Sequence, residues 1–267
     1  VMTTITTEEN LISMGIASQE ASRKLSRLSD STKVQALNNI AKALESNPTS
    51  ILEANQIDLQ QAKAQGMDEA MLDRLMLTPE RLLATAKEVR NVAQLVDPVG
   101  QIIETNTLYN GLIMEKRRVP LGVIGSIYES RPNVTVDIAS LCIKSGNACL
   151  LRGGKESLYS NIALIGLIQQ SITESGLPID SVQFIDNPDR HLVTAMLAMK
   201  EYINLLIPRG GSSLVNFVGQ NATMPVVTGG IGVCHTYIDS CADEDKARKI
   251  VFNAKVQRPT VCNALDG

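Results

Sequence analysis

The sequence predicts an α/β fold, a helical N-terminal segment followed by a doubly wound parallel sheet. Two features point to it. From Thr7 to about Val96, apolar residues recur at three- and four-residue spacing, the period of an amphipathic helix. From Pro120 onward, short apolar runs alternate with helix-length segments, and repeated β-α-β units of that size give parallel strands with helices on both faces.

In the first part the helical spacing lies in Gln19–Leu28, Thr32–Leu44, Ile51–Ala62 and Pro79–Val92. The punctuation agrees. Ser29-Asp30-Ser31 caps the second helix, Asn47-Pro48 separates the second from the third, and Gly66 ends the third. Thr78-Pro79-Glu80 supplies a cap with proline in the first turn. At Asp97-Pro98-Val99-Gly100 the pattern changes, and Gln101–Thr107 and Leu112–Arg118 read as strands about a turn at Tyr109-Asn110-Gly111. Pro120–Tyr128 then suits a strand buried on both faces. The alternation continues with a helix at Asn133–Lys144 closed by Gly146, a strand at Ala148–Leu151, a helix at Ser157–Ser175 and a strand at Val182–Ile185. A helix at Arg190–Lys200, a strand at Ile203–Ile207 and a short helix at Ser212–Val218 follow. Strands at Pro225–Val227 and Val233–Ile238 and a helix at Asp243–Phe252 complete the reading.

Composition narrows the function. A chain of 267 residues with 44% hydrophobic residues can fill a core. A net charge of −3, no tryptophan and 3% aromatic residues argue against a nucleic-acid surface. No apolar run reaches the length of a membrane span and Thr3–Asn10 is polar, so a cytoplasmic protein is expected. The five cysteines form no Cys-x-x-Cys pair, and His191 and His235 are the only histidines, so neither a disulfide framework nor a metal site is expected. Cys142 and Cys149 read as core residues.

Parallel sheets bind ligands beyond the carboxyl ends of their strands. Three loops there carry chemistry: Glu129-Ser130-Arg131-Pro132-Asn133, Arg152-Gly153-Gly154-Lys155-Glu156 and Pro208-Arg209-Gly210-Gly211-Ser212-Ser213. The second and third pair an arginine with two glycines ahead of a helix, so free N–H groups, a helix N-terminus and a guanidinium converge where a phosphate can sit. The spacing is not Gly-x-Gly-x-x-Gly, which disfavours an ordinary Rossmann dehydrogenase. Cys262 stands in a third setting, the basic and amide-rich stretch Phe252–Ala264. Lys255 and Arg258 would favour its thiolate, and Pro259 stops the helix before it. On these residues alone a buried structural cysteine is the commoner outcome.

Five separated stretches resemble the gamma-glutamyl phosphate reductase (glutamate-5-semialdehyde dehydrogenase) family of the aldehyde dehydrogenase superfamily. They are Val119–Thr135, Lys144–Gly154, Pro208–Ser213, Gly232–Asp239 and Asn253–Leu265. The resemblance implies NADPH-dependent reduction of L-glutamyl 5-phosphate to L-glutamate 5-semialdehyde and phosphate, in proline biosynthesis. It implies Cys262 as the nucleophile that forms a thioester, with its own N–H and the Asn133 side chain as oxyanion donors, Arg131 competing with Asn133 for that place. Arg152, Gly153, Gly154 and Lys155 match the loop that meets the adenosine ribose and its extra phosphate, and Gly210, Gly211 and Ser212 the pyrophosphate side. Arg131 and Arg258 are the candidates for substrate phosphate or carboxylate, the alternative for each being a structural ion pair. His235, inside one matching stretch, is read as structural. Where hydrolytic members of the superfamily carry Glu-Leu-Gly-Gly this chain has Val227-Thr228-Gly229-Gly230, and valine cannot activate water against a thioester.

Under the same resemblance, residues 1–98 form the helical part of the cofactor-binding domain, 99–252 the dinucleotide-binding α/β domain, and 253–267 the start of a catalytic domain that continues beyond Gly267. A homo-oligomer of the full-length protein and a functional association with glutamate 5-kinase are further expectations. Another acyl-phosphate or acyl-CoA reductase, the reductase portion of a pyrroline-5-carboxylate synthase, and a non-catalytic nucleotide-binding module remain as alternatives.

Overall fold

The structure, a computed structural model, describes residues 6–229, 232–257 and 264–267. The chain divides into two compact units, Val1–Thr228 and Gly229–Gly267.

The first unit opens with α1 (Glu8–Leu25), α2 (Asp30–Ser46), α3 (Thr49–Ala64), α4 (Glu69–Leu75) and α5 (Pro79–Gln94). Each start has a local cause. Thr7, Ser29, Asp68 and Thr78 sit in extended backbone, and their side-chain oxygens accept from Asn10, Thr32, Met71 and Arg81 N–H groups. The expected first helix thus begins earlier than Gln19, and α4 was not anticipated. At seven residues it is too short to show a period.

A hairpin follows, β1 (Ile102–Thr107) pairing antiparallel with β2 (Ile113–Arg117), all of its strand residues exposed. The main sheet comprises β3 (Val123–Tyr128), β4 (Ala148–Arg152), β5 (Val182–Phe184) and β6 (Leu205–Arg209), in the order β5-β4-β3-β6 and parallel throughout. All six residues of β3 are buried. The helices α6 (Asn133–Lys144) and α7 (Leu158–Glu174) cross from β3 to β4 and from β4 to β5. The path then reverses, and α8 (Arg190–Leu197) carries it from β5 back past β3 to β6. Right-handed crossovers put α8 on the face opposite α6 and α7. There α8 packs with α1, while α2, α3 and α5 lie over α6 and α7. The helix α9 (Ser212–Asn221) leaves the end of β6. The doubly wound sheet expected from the alternation is therefore present, and its strand order reverses between β3 and β6.

Boundaries move for physical reasons. The expected strand at Pro225–Val227 is reduced to one parallel bridge, Leu206 to Val226. The β6 strand runs Leu205–Arg209 rather than Ile203–Ile207, because its ladder extends to the end of β3, with Tyr128 opposite Arg209. A 3-10 turn at Lys155–Ser157 precedes α7.

In the second unit α10 (Glu244–Val256) starts at Asp243, which accepts from Lys246 N–H. The expected strand at Val233–Ile238 does not form. Its backbone bonds go to residues 266 and 267, with Asp266 N–H to Cys234 O at 2.9 Å and Thr236 N–H to Gly267 O at 3.0 Å. His235, read as structural on the strength of that strand, is exposed.

Two lysines are buried against the sheet-covering helices. Lys144 donates to Asp30 at 2.6 Å and to the Ala93 carbonyl at 3.0 Å, joining α6 to α2 and α5. Lys33, fully buried, pairs with Asp97, whose other oxygen accepts from Val99 N–H at 2.9 Å. A buried cation that loses its partner costs several kcal/mol, whereas exposed pairs such as Arg90–Glu45 contribute little. Asp97→Asn keeps the turn and removes the charge, so chemical denaturation should show a loss of about 3 kcal/mol, most of it recovered when Lys33→Met is added. Glu45→Gln should change stability by less than about 1 kcal/mol.

Candidate functional site

The carboxyl ends of β3, β4 and β6 converge on a cavity of about 600 Å³. Met67, Met71, Val193, Leu214 and Phe217 give it apolar walls, and Arg152, Lys155 and Arg190 bring cations to it. This is the place the strand-order reversal selects for a ligand.

Gly153 and Gly154, at the end of β4, are shaped from beneath by a buried chain of hydrogen bonds. Thr135 gives its hydroxyl proton to Asn161 Oδ1 at 2.7 Å, which leaves Tyr128 to donate to Thr135 at 2.6 Å. Asn161 donates in turn to Ser157 Oγ at 3.0 Å, and Ser157 to the Gly154 carbonyl at 3.2 Å. Burial pushes the Tyr128 phenol well above its ordinary value, so it stays a donor. The fit at Gly153 is tight: a Cβ there would lie 2.2 Å from Asn161 Nδ2 and 3.2 Å from the Tyr128 ring.

Two glutamates tie the three loops together, and neither was singled out in the sequence. Glu156, beyond β4, accepts from Ser130 N–H at 2.8 Å and from its hydroxyl at 2.5 Å. Ser130 is buried with φ +30°, a backbone region costly for a residue with a Cβ, and these two bonds offset that strain. Glu129 accepts from Gly211 N–H at 2.8 Å, while its own N–H donates to the Arg209 carbonyl at 3.2 Å. Only the first of these bonds uses a side chain from a distant loop to cap α9, which has no local cap.

Around this frame three of the expected cofactor residues, Arg152, Gly154 and Lys155, line the cavity, whereas Gly153, Gly210, Gly211 and Ser212 belong to the same two loops without lining it. Arg152 donates through one terminal nitrogen to the Pro188 carbonyl at 2.8 Å, while its Nε is buried with no hydrogen-bond partner. Burial draws the guanidinium below its ordinary value; Glu156 and Asp189 oppose this shift and Arg190 adds to it. Lys155 is exposed and lines the cavity. A Cβ at Gly210 would come to 2.6 Å from the Glu129 carboxyl carbon and 2.8 Å from Leu214 Cδ2, so it would fit only if these side chains moved. Gly211 and Ser212 are exposed at the start of α9. Cationic side chains and glycine loops beside an apolar-walled cavity are an arrangement that can take an anionic organic ligand.

The remaining expected site residues lie elsewhere. Asn133 begins α6 and donates to Asp137 at 3.2 Å; burial raises the Asp137 carboxyl pKa, opposed by that bond. The Arg131 side chain is half-buried, and its carbonyl accepts from Val134 N–H. Val227 is exposed beside the bridge to β6. Cys262 and Arg258 lie outside the described residues. Cys142 and Cys149 are core residues, and the hydrogen bond to Cys142 together with burial pushes the Cys149 thiol up. Among the described residues no group of three or more His, Cys, Asp or Glu side chains is placed to hold a metal, and no helix is long and apolar enough to cross a membrane. Sequence reasoning also missed Arg190, at the start of α8 on the cavity edge. Its signal was available: it follows a strand in the same topology as the loops that were chosen.

Alanine at Gly153 would overpack the loop, and thermal or urea unfolding should show a loss of about 1–3 kcal/mol. At Gly211 the backbone is extended and the nearest atom is 3.8 Å from the added carbon, so Gly211→Ala should stay within about 0.5 kcal/mol of the parent.

Comparison with known proteins gives the relationships of the chain. No family model matches it. It is 56% identical over 253 residues to a gamma-glutamyl phosphate reductase of Photorhabdus laumondii, a match covering 95% of this chain and 61% of the relative. The crystal structure of gamma-glutamyl phosphate reductase from Thermotoga maritima superposes with a TM-score of 0.89 at 44% identity, over 96% of this chain and 62% of that one. A probable aldehyde dehydrogenase from Listeria monocytogenes shares the fold with a TM-score of 0.72 at 15% identity, over 97% of this chain and 54% of that one. The chain therefore spans about three fifths of the length of the curated relatives it matches.

Proposed function

As a homologue of the gamma-glutamyl phosphate reductases over nearly all of its length, the chain carries their α/β layout, and we propose that it reduces L-glutamyl 5-phosphate to L-glutamate 5-semialdehyde with NADPH, releasing phosphate. The observation that carries this reading is the cavity at the β3–β6 reversal, lined by the cations Arg152, Lys155 and Arg190 beside the glycine loops.

In this reading Arg152, Lys155 and Arg190 hold the adenosine-side phosphate, the Met67, Met71 and Phe217 walls take the adenine, and Gly210, Gly211 and Ser212 face the pyrophosphate. NADPH, when bound, supplies the hydride. Cys262 attacks the acyl carbonyl, its sulfur forms the thioester as the carbon–oxygen bond to phosphate breaks, and the thiolate is released with the aldehyde. The Cys262 N–H and Asn133 stabilise the oxyanion, for which the Asn133 amide must turn from Asp137, or Arg131 takes that place. Arg131 and Arg258 bind the substrate's anionic groups. Val227 offers no base, so water is not activated against the thioester before reduction. The domain reading belongs to the same proposal: residues 99–252 bind the dinucleotide with support from 1–98, and 253–267 begin the catalytic portion. Cytoplasmic residence, self-association of the full-length protein and an association with glutamate 5-kinase extend it.

The test is the reverse reaction, NADP⁺ reduction by glutamate semialdehyde in the presence of phosphate. Phosphate-dependent turnover lost in Cys262→Ser is the expected result. NADPH binding without turnover would make this chain a nucleotide-binding portion of a longer enzyme, and no NADPH binding would overturn the cofactor assignment. In a fluorescence titration Arg152→Ala should weaken NADPH by roughly tenfold or more and NADH by less, because the extra phosphate loses a charge-assisted partner.

A further inference from the structure

Glu129 stands in the cofactor cavity with no part in the chemistry above, and its carboxylate occupies a place suited to a ligand's phosphate. It takes the Gly211 N–H at 2.8 Å and lies next to Gly210, its carboxyl carbon 2.6 Å from where a Cβ would be. The first turn of α9 has free N–H groups and the positive end of the helix dipole, and they favour an anion of any origin. Here the anion is supplied by the protein, from a residue 82 positions earlier in the chain.

Its surroundings let it leave. The Glu129 side chain is exposed, whereas its backbone is held by Arg209 and by the Glu156 grip on Ser130 next to it. Rotation about the side-chain bonds can therefore withdraw the carboxylate without disturbing the loop. Glu156, the other carboxylate on the cavity, has its Oε1 engaged twice by Ser130 and is not free in the same way. A phosphate approaching Gly211 would meet like charge unless Glu129 moved.

We propose that Glu129 sets cofactor affinity, as an internal anion that caps α9 in the empty protein and is displaced by the dinucleotide's pyrophosphate. The proposal rests on the cofactor reading of these loops. Glu129 is then a positioning residue: it orders the Gly210–Ser212 loop while the cavity is empty and weakens nucleotide binding by the cost of its removal. Glu129→Gln retains the size and an acceptor for Gly211 N–H but lacks the charge, so its effect isolates the competition.

The experiment titrates NADPH by fluorescence into the parent chain, Glu129→Gln, Glu129→Ala and Arg152→Ala, and records thermal unfolding of each with and without saturating NADPH. Both Glu129 variants should bind NADPH about tenfold more tightly, with a lower or equal unfolding midpoint when empty and a larger NADPH-induced rise. A merely structural glutamate would lower the midpoint in both states and leave or weaken affinity, and that result would overturn the proposal while parent binding weakened by Arg152→Ala kept the cofactor reading. No NADPH binding by the parent would sink the reading and the proposal together. If the alanine variant does not fold, the glutamine variant decides.

Discussion

The structure depends on β3 lying in the middle of its sheet with every residue buried. A parallel strand in that position draws its ladder bonds from β4 on one side and β6 on the other, and it must be apolar on both faces. Val123, Ile124 and Ile127 satisfy the packing, Gly125 leaves room for Leu206 and Met196, and Ser126 sends its hydroxyl proton to the Ile207 carbonyl. Where β3 ends, the ladder stops and its polar groups need other partners. The grip of Glu129 and Glu156 on the neighbouring loops meets that need.

That arrangement joins stability to function. The loops that close the strand ends are the loops that face the cavity, so the hydrogen bonds that finish the sheet also shape the cavity. The Tyr128–Thr135–Asn161–Ser157 chain does this under the glycines of β4. On the other side of α7, Asp58 in α3 accepts from Ser160 N–H at 2.8 Å and its hydroxyl at 2.6 Å, and so fixes the helix that follows the loop. Burial pushes the Asp58 carboxyl up against these bonds.

Much of the fold was legible because it rests on local chemistry. Ser29 and Thr78 cap helices where short-range hydrogen bonding requires it, Gly66 and Gly146 take positive φ at helix ends, and the mostly apolar run before Tyr128 marks the central strand. The parallel pairing followed from the alternation of strand- and helix-length segments, whereas the order β5-β4-β3-β6 was not read from the sequence. Two elements escaped for different reasons: α4 has a local aspartate cap but too few residues to show a period, and the strand expected at 233–238 is absent because its backbone partners are the distant residues 266 and 267. The site divided in the same way. The arginine-glycine-glycine loops stand out in the sequence through their own composition. Glu129, Glu156 and Arg190 act across loops far apart in the chain, and a glutamate in a loop looks the same whether it is solvated or holds a backbone N–H. Composition drew attention to Cys262 and Arg258, but the roles given to them came from resemblance.

The most direct measurement is a ¹H–¹⁵N correlation spectrum of the isotopically labelled chain during addition of NADPH. The account predicts the largest amide shifts at Arg152–Lys155 and at Gly210–Ser212, the two loops that share the cavity with Arg190. Saturable shifts clustered instead in the groove between α2, α3 and α7, or none at all, would contradict it.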